Sequence, residues 1–388
     1  MKPFLTAIFL VLFLVAKPDT AFPQPIVVNS TLVFPIQGQH VHGSSVVELP
    51  NGDFLVAWFQ GSGERTADDV RIMGARLKKG DYKWSDPFEL ADTPDLPDCN
   101  PVLFMVEGKL CLVWIAVLAN RWENSILRMR STTAFNGSGA PEWQWQDNIL
   151  LKPDDRFAAE VAAKLEELPP QHHGWSAYAP EYDKLTTEAA KDAGKRSIGW
   201  MTRIKPIVSG RRILLPLYSD GFNLSLLATS DDGGQSWKPS LPIVGRGPIQ
   251  PALAQRRDGT LVAYMRDSGD APTRVQVSES NDGGWSWTAA RKSDIPNGAS
   301  IDVLVLADGR WAMLGNDVDD GRYRMSLYLS DDEGKSWSVK FPLEDDASKK
   351  GRYSYPSLIQ GTDGLLHMTY SYHVRDGEKT IKYVTVKP

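Results

Sequence analysis

An eight-residue pattern, Ser-x-Asp-x-Gly-x-x-Trp, occurs three times in this chain at regular intervals. The copies read SDDGGQSW, SNDGGWSW and SDDEGKSW, and they begin at residues 230, 280 and 330. Asp and Ser side chains cap backbone amides in tight turns, Gly adopts conformations that other residues avoid, and a large Trp packs against neighbouring elements. The pattern therefore predicts a structural turn that recurs in similar units of about 50 residues.

Hairpin signals extend the same repeat over most of the chain. Short apolar segments stop at a glycine turn and then resume, as in VVELPNGDFLVAW and PALAQRRDGTLVAYM. Such segments, enriched in β-branched and aromatic residues, are typical of strand-turn-strand units. Six of them are centred on Gly52, Gly108, Gly210, Gly259, Gly309 and Gly364. Repeats of this length with four strands each indicate propeller blades, so the predicted fold class is all-β, a six-bladed β-propeller.

The last unit predicts how the ring closes. It contains only three strand signals, of which the final one is IKYVTV. The segment STLVFPI, residues 30–36, is expected to supply the fourth strand, because closure removes the exposed edges of the sheets. The propeller is predicted to span residues 25–388.

One interval breaks the regular spacing. The stretch between Trp145 and Trp237 is nearly twice as long as the others, and the surplus lies at residues 152–195. DDRFAAEVAAKLEEL has the periodicity of an amphipathic helix, and TTEAAKDAGK indicates a second one. Insertions in a single blade commonly cover the binding face or form a partner surface. We expect a cap over the binding face.

The N-terminal residues are predicted to be a signal peptide, residues 1–21, with the cleavage position left open. The apolar run from Phe4 to Ala16 is too short to span a bilayer and is typical of a signal-peptide core. No later stretch is apolar enough for a membrane span. The sequence thus favours a secreted or periplasmic protein. Cys99 and Cys111 are its only cysteines, and one disulfide or two buried thiols would both be compatible with export.

Composition narrows the choice of partner. A net charge of -5 argues against nucleic acid, since phosphate binding needs a basic surface. The 13 Trp, 12 Tyr and 13 Phe supply rings that fill blade cores and stack on sugars. Phosphate loops, nucleotide fingerprints and metal-ligand spacings do not stand out, so neither a cofactor nor a metal is expected. The sequence leaves the oligomeric state open.

The predicted topology separates two faces of the propeller. Strands alternate in direction, so the repeated turn shares a face with the hairpin glycines. The opposite face, called the funnel face below, collects the starts of first strands and the ends of second strands. Polar and aromatic residues concentrate there. They are His42, Glu64, Asp68, Asp69, Arg71, Asn100, Arg203, Lys205, Tyr218, Asp220, Gln250, Arg266, Asp267, Asp302, Asn316, Asp317, Arg322, Arg324, Tyr355, Tyr370, Tyr372 and His373.

The repeats resemble those of the sialidase superfamily, whose six-bladed propellers carry the same turn motif, the Asp box. The likeness covers nearly the whole chain after the signal peptide, apart from residues 152–195. It implies a glycoside hydrolase that removes a terminal acidic sugar. In that chemistry arginines bind the substrate carboxylate, a tyrosine is the nucleophile and an aspartic acid protonates the leaving group.

The resemblance implies roles for individual residues. Tyr355, in YPSL, resembles the nucleophile, and Arg266 resembles one carboxylate-binding arginine. Asp68 resembles the acid, with Asp69 equally well placed. A second arginine is matched by either of the two that precede MSLYLSDDEG, namely Arg322 and Arg324.

Two positions depart from the family pattern. His42 stands where the family has its first arginine, and Gln250 stands where it has the glutamate that polarises the tyrosine. A glutamine side chain cannot take up the proton of the tyrosine.

Three functions are therefore compatible with the residues. The first, which the resemblance favours, is a sialidase-type hydrolase acting on an acidic glycan. The second is a polysaccharide lyase that cleaves uronic-acid glycans by β-elimination, in which Arg266 neutralises the carboxylate and His42 or Tyr355 abstracts the proton. The third is a non-catalytic glycan-binding propeller. Further substrate contacts are expected from Arg71, Asn100, Arg203, Lys205, Gln250, Asp302, Tyr370 and His373.

Overall fold

The structure, a computed structural model, describes residues 24–169 and 182–388 and shows a six-bladed β-propeller, which confirms the predicted fold class. Six small antiparallel sheets surround a central axis, and the first strands of neighbouring blades contact one another around it. The predicted signal peptide lies outside the described residues. Among the described residues, no helix has the length and apolar character that crossing a membrane requires.

The N-terminal strand and the first three blades come first along the chain. The N-terminal strand is β1 (Ile26–Leu32). Blade 1 contains β2 (His40–Glu48), β3 (Phe54–Gly61), β4 (Arg71–Leu77) and β5 (Phe88–Ala91). Blade 2 contains β6 (Asp98–Val106), β7 (Lys109–Val117), β8 (Ser125–Thr132) and β9 (Trp145–Asn148). Blade 3 contains β10 (Met201–Thr202), β11 (Ile207–Ser209), β12 (Arg212–Ser219), β13 (Leu224–Ser230) and β14 (Lys238–Pro239), with β10 and β11 both paired to β12.

The remaining three blades repeat the four-stranded order. Blade 4 contains β15 (Pro248–Gln255), β16 (Leu261–Asp267), β17 (Arg274–Ser280) and β18 (Arg291–Pro296). Blade 5 contains β19 (Asp302–Val305), β20 (Trp311–Gly315), β21 (Arg324–Ser330) and β22 (Val339–Asp345). Blade 6 contains β23 (Arg352–Gln360), β24 (Leu366–Arg375) and β25 (Glu378–Lys387), and β1 is its outermost strand.

Strand β1 closes the ring by pairing with β25, from Ile26 opposite Lys387 to Leu32 opposite Lys382. The closing strand thus begins earlier than the predicted residues 30–36. The ladder ends at Leu32 because the next residues turn inward, where the ring of Phe34 stacks on that of Trp58 at 4.7 Å.

The repeated turns are held by their own side chains, as in residues 230–237. Asp232 accepts hydrogen bonds from the backbone of Ser236 at 2.9 Å and from its hydroxyl at 2.5 Å, and these bonds lower the pKa of its carboxyl. Ser230 Oγ accepts the amide of Gly234 at 2.8 Å. In the third copy, Glu333 pairs with Arg257 of a neighbouring hairpin turn at 3.3 Å. The turns and hairpins therefore share one face, opposite the funnel face.

The apolar core lies mainly between blades. Trp287, from the second turn, packs with Leu214 and Leu227 of blade 3 and with Leu261 of blade 4. Its indole nitrogen donates to the carbonyl of Gly284 at 3.2 Å. The tryptophan of the repeat therefore joins adjacent blades.

The insertion contains helices α1 (Asp155–Glu166), α2 (Tyr182–Ala190) and α3 (Ala193–Arg196) within the described residues. It lies between β9 and β10, in a connection that the alternation of strands places on the funnel face. Phe157, Val161 and Leu165 of α1 are buried, and α1 packs on α2. The ring of Phe157 also meets that of Phe222 in blade 3 at 5.5 Å.

Cys99 and Cys111 are both buried and unbonded to each other. They lie on paired strands but are out of register, because Cys99 faces Ile115 and Cys111 faces Phe104. Of the two alternatives from the sequence, the structure has the buried thiols.

Candidate active site

Four first strands carry the same backbone irregularity near their funnel-face ends. The strands β2, β6, β15 and β23 each contain a bulge, at Gly43, Asn100, Gln250 and Tyr355. All four residues have a positive φ, of 67°, 52°, 56° and 56° in that order. Non-glycine residues rarely adopt this conformation, and a bulge redirects the side chain out of the regular alternation. The funnel end is thus built to present three polar side chains.

Tyr355 is the centre of this group. Its phenol oxygen accepts a hydrogen bond from Gln250 Nε2 at 3.1 Å and another from Arg266 Nη1 at 3.2 Å. The tyrosine is 9% exposed, so its oxygen is screened from bulk water by these partners. Two N–H donors, one of them charged, therefore fix the position of the phenol oxygen.

Cationic side chains flank the aromatic ring of Tyr355. The guanidinium carbon of Arg203 lies 4.9 Å from the ring centre, and that of Arg322 lies 5.6 Å away. Arg203 is fixed by donating to the backbone carbonyls of Ser44 at 3.1 Å and Pro356 at 3.0 Å. Burial lowers the pKa of Arg203 to about 10, and it also lowers the pKa of Arg322. Both remain cations at neutral pH.

A second phenol adjoins the first. Tyr218 accepts a hydrogen bond from Asn100 Nδ2 at 3.1 Å, and its side chain also contacts Gln250. Burial raises the pKa of Tyr218 well above its usual value, so this hydroxyl keeps its proton. Gln250 links the two tyrosines, while its buried Oε1 has no hydrogen-bond partner among the described residues.

His42 packs against Tyr355, with ring centres 4.0 Å apart. Burial lowers the pKa of His42 well below its usual value, so the imidazole is neutral. Its Nδ1 lies 2.8 Å from Ser371 Oγ, which also accepts the amide of Gly43 at 3.0 Å. A hydroxyl has one hydrogen and two acceptor lone pairs, so either atom of the His42–Ser371 pair can be the donor. Ser371 therefore fixes the position of the His42 ring.

His373 supports the same corner of the site. Its ring centre lies 5.7 Å from that of His42, and its Nε2 donates to the carbonyl of Val41 at 2.7 Å. Burial lowers the pKa of His373 to about 4, with further lowering from Lys379 and Arg322. It is also neutral at neutral pH.

Two carboxyl groups lie beside the arginines. Burial raises the pKa of Glu64, although Arg322 and Arg65 oppose the rise. Burial also raises the pKa of Asp220, opposed by Arg266 and Arg65. A carboxyl with a raised pKa is suited to hold a proton and donate it to a leaving group.

The comparisons with known proteins agree with this architecture. A family model described as a BNR repeat-like domain matches residues 52–164 and 190–368, which is most of the chain. The chain belongs to the BNR repeat-like domain family. The match skips residues 165–189, so the middle of the helical insertion is outside the family pattern.

The relatives of this BNR repeat-like protein include sialidases. A sialidase from Bacteroides fragilis (strain YCH46) is 24% identical over 154 residues, which are 37% of this chain and 28% of that protein. The chain therefore aligns with less than a third of that relative's length. Together with the family match, this places the chain in the sialidase superfamily of BNR-repeat propellers.

Solved structures show the same fold. A protein of unknown function from Dyadobacter fermentans DSM 18053 has a TM-score of 0.69 and 15% identity, covering 94% of this chain and 99% of that one. The NanB sialidase from Streptococcus pneumoniae has a TM-score of 0.63 and 12% identity, covering 92% and 70%. A leech intramolecular trans-sialidase has a TM-score of 0.61 and 13% identity, covering 93% and 70%.

Several predicted contacts of the BNR repeat-like protein are placed together. The structure brings His42, Arg203, Gln250, Arg266 and Arg322 into contact with Tyr355. Asn100 and His373 adjoin this group through Tyr218 and His42. Together these residues come from all six blades. Sequence reasoning placed Glu64, Tyr218 and Asp220 on the same face but gave them no role in the chemistry.

Other predicted residues are engaged elsewhere. The carboxylate of Asp69 caps its own loop, accepting the amide and hydroxyl of Ser62 at 3.0 and 2.9 Å, and Asp68 is exposed to solvent. The loop instead brings Glu64 toward the arginines. Arg71 pairs with Glu89 at 3.2 Å on the outside of blade 1.

Further predicted residues of blades 3, 5 and 6 are paired with other side chains. Arg324 pairs with Asp317 at 3.3 Å, so Arg322 alone reaches Tyr355 from this segment. Lys205 and Asp302 bind each other at 2.6 Å, which neutralises both charges. The hydroxyl of the fully buried Tyr370 donates to Glu344 at 2.5 Å.

The residue after Tyr370 was missed. Ser371 positions His42, and the alternation of side chains along a strand was the signal for it, since Tyr370 and Ser371 face opposite sides of β24.

Proposed function

We propose that this protein is an exo-acting glycoside hydrolase of sialidase type that removes a terminal acidic sugar. The observation that carries the proposal is the phenol oxygen of Tyr355, which accepts hydrogen bonds from Arg266 and Gln250 and has Arg203 and Arg322 beside its ring. These cationic groups favour an anionic ligand next to the phenol oxygen.

Substrate binding follows from the charges. Arg266 and Arg322 are both half-buried, so a ligand in the funnel can reach either of them. Guanidinium groups match the geometry of a sugar carboxylate. Arg203 is different, because it is buried and its two terminal nitrogens already donate to the carbonyls of Ser44 and Pro356. It positions the ring of Tyr355 and adds positive charge.

The reaction then needs a nucleophile and an acid. The Tyr355 phenol gives its proton to water as its oxygen attacks the anomeric carbon, and a C–O bond forms while the bond to the leaving group breaks. Glu64, whose pKa burial raises and Arg322 opposes, donates its proton to the departing oxygen. Water next attacks the anomeric carbon and gives its proton to the Glu64 carboxylate, and the Tyr355 oxygen is released and takes up a proton from water.

A β-elimination lyase on uronic-acid glycans is the second candidate, and one observation favours it. Gln250, an amide that cannot accept the phenol proton, bonds to Tyr355, and the neutral His42 packs 4.0 Å away. In that reaction the neutral His42, or Tyr355 after it has given its own proton to water, takes the proton next to the carboxylate, the sugar gains a double bond as the bond to the leaving group breaks, and Glu64 protonates the leaving oxygen.

Product analysis on a panel of acidic oligosaccharides tests the proposal. A hydrolase releases a saturated acidic sugar, whereas a lyase leaves an unsaturated product that absorbs in the near ultraviolet. Tyr355→Phe is expected to abolish turnover and to retain binding. Tyr353→Phe, two residues earlier on the same strand and stacked on Tyr372, is the matched control and should retain turnover. Binding without turnover in the unmodified protein would support the glycan-binding alternative.

We further propose that the protein is exported, on the basis of the apolar segment at residues 4–16. Expression of the full chain, followed by N-terminal sequencing of the periplasmic or medium fraction, tests this. An uncleaved protein confined to the cytoplasm would contradict it.

A further inference from the structure

A cavity of about 680 Å³ lies beside the candidate active site, between the insertion and the loops of blades 2 and 3. From the insertion it is lined by Ala189, Lys195 and Ile198, and from the propeller by Glu123, Asp220 and Phe222. A space of this size accommodates a sugar ring, since ligand sites are typically about 300–1,000 Å³.

The cavity adjoins the centre of the site through Asp220. This residue follows Tyr218 by two positions and lines the cavity. The positive charge of Arg266 lowers the pKa of its carboxyl, which opposes the effect of burial. Arg266 in turn donates to the Tyr355 oxygen. A glycan with its terminal sugar at Tyr355 can therefore continue past Asp220 into the cavity.

The cavity wall from the insertion is fixed against the propeller. The amide of Gly199 donates to the carbonyl of Ser125 at 3.1 Å, and a Cβ atom on Gly199 would lie only 2.5 Å from the carbonyl oxygen of Glu123. The ring of Phe222 stacks on Trp200 at 6.1 Å and meets Phe157 of α1 edge-on at 5.5 Å. A wall held in this way is suited to select a ligand.

Its lining indicates the ligand chemistry. The acidic side chains are Glu123, Asp192 and Asp220, of which Asp220 has a pKa raised by burial, and the single basic side chain in the lining is Lys195. Carboxylates accept hydrogen bonds from sugar hydroxyls, but they repel another carboxylate. Ile198, which is 37% exposed, offers an apolar surface for one face of a sugar ring.

We propose that this cavity binds the sugar on the leaving-group side of the scissile bond and that it selects a neutral, hydroxyl-rich ring over a second acidic sugar. The inference rests on the proposed function, because it presumes that the terminal acidic sugar binds at Tyr355. It assigns the helical insertion a specific task, which is to choose what the acidic sugar is attached to.

Equilibrium binding to the Tyr355→Phe variant tests the inference, because this variant leaves the glycans intact. The probes are sialic acid as its methyl glycoside, 3′-sialyllactose, in which the second sugar is neutral, and a disialoside, in which it is acidic. A matching series with glucuronic acid at the terminal position is measured in parallel. Within the series that binds, the neutral extension should tighten Kd at least tenfold over the methyl glycoside, and the acidic extension should not.

Two cavity variants and one control sharpen the test. Ile198→Trp fills the cavity and should remove the gain from the neutral extension while changing Kd for the methyl glycoside less than twofold. Glu123→Gln should improve binding of the acidic extension about fivefold by removing one repulsive charge. Glu188→Gln is the matched control, since Glu188 lies on α2 but lines a different groove, with Lys184 and Thr187.

The outcomes separate the two proposals. Equal Kd values for all three probes, or an equal loss of all three in Ile198→Trp, would overturn the subsite while leaving the terminal-sugar site intact. If the methyl glycosides and their extensions all fail to bind in both series, the proposed function is wrong, and the proposed subsite is then wrong as well.

Discussion

Tyr355, Gln250 and Asn100 hold a backbone conformation that each would avoid in an ordinary strand, with φ between 52° and 56°. Such a residue costs of order 1–3 kcal/mol and persists only where its surroundings enforce it. Here the enforcement comes from the bulges of three first strands, and Gly43 has the same conformation in a fourth. The strain coincides with the side chains that meet in the funnel, which is where a binding or catalytic function places it.

Arg266 provides the first prediction. Arg266→Ala should weaken binding or turnover of the acidic glycan by about 2–4 kcal/mol, the range for losing a charge-assisted hydrogen-bonded pair. Arg266→Lys should recover only part of this, because an ammonium group cannot make the two-pronged contact. Isothermal titration and steady-state kinetics provide the measurement. Arg71→Ala, which removes an arginine paired with Glu89 outside the site, should change neither; a loss equal to that of Arg266→Ala would contradict the placement.

His373 gives the stability of the protein a pH dependence. Its pKa is about 4 in the folded protein, lowered by burial, against about 6.5 in an unfolded chain. Between these values the unfolded state binds more protons than the native state, so this contribution to the free energy of unfolding is complete above pH 6.5 and lost as the pH falls toward 4.

Thermal unfolding of His373→Gln tests this. The melting temperature should fall less between about pH 7 and about pH 4.5 in the variant than in the unmodified protein, because one histidine no longer titrates. Glu64 and Asp220 titrate in both proteins, so the comparison isolates the histidine. Parallel curves for the two proteins would show that His373 protonation does not affect stability.

Individual residues also show what sequence alone could determine. Tyr355, Arg266, His42 and Gln250 were placed on the funnel face because strand starts and strand ends fix the face. The choice between neighbours could not be made in this way. Arg322 lies in the loop before β21, where strand periodicity does not predict the direction of a side chain, and it contacts Tyr355. Arg324 is the first residue of β21 and pairs with Asp317.

Among the elements, the repeated turns have a structural task that can be measured. Trp287 is 3% exposed and packs between blades 3 and 4, so Trp287→Ala should reduce the free energy of unfolding by about 3–5 kcal/mol. Glycan affinity of the folded protein should stay unchanged, because the turn lies on the face opposite the funnel. Trp285, in the same turn but 41% exposed, is the control, and Trp285→Ala should cost less than about 1 kcal/mol. Chemical denaturation measures both.

A specific loss of glycan binding in folded Trp287→Ala would show that the turn does not lie on the face opposite the funnel.

The strands and hairpins were predictable because their turn chemistry is local. The loop of residues 62–69 was not, because its conformation depends on Asp69 binding back to Ser62. That contact is what removes Asp69 from the site and turns Glu64 toward it. The helices of the insertion were also predictable, from their periodicity. The cavity beneath them was not, because it depends on the packing of Phe157 and Trp200 against Phe222.

At the scale of the whole molecule, closure by β1 is the most testable feature. A chain that lacks residues 1–32 should melt at a much lower temperature than one that lacks only residues 1–24, because β25 loses its partner and blade 6 gains an exposed edge. Both variants lack the predicted signal peptide, so the comparison isolates the strand. Equal melting temperatures would show that the ring does not depend on β1.

Closure of this kind also fixes the order of assembly. Ile26 pairs with Lys387, and Leu32 pairs with Lys382. During synthesis, at about 5–20 residues per second, β1 leaves the ribosome long before β25 exists. Its exposed apolar side chains, Ile26, Val27 and Val28, are without their final neighbours throughout that time. β1 is thus the first strand to be synthesised and the last to find its pairing partner. The complete ring forms only after nearly the whole chain has been translated. The contact that closes it joins residues far apart along the sequence, and contacts of that kind form slowly.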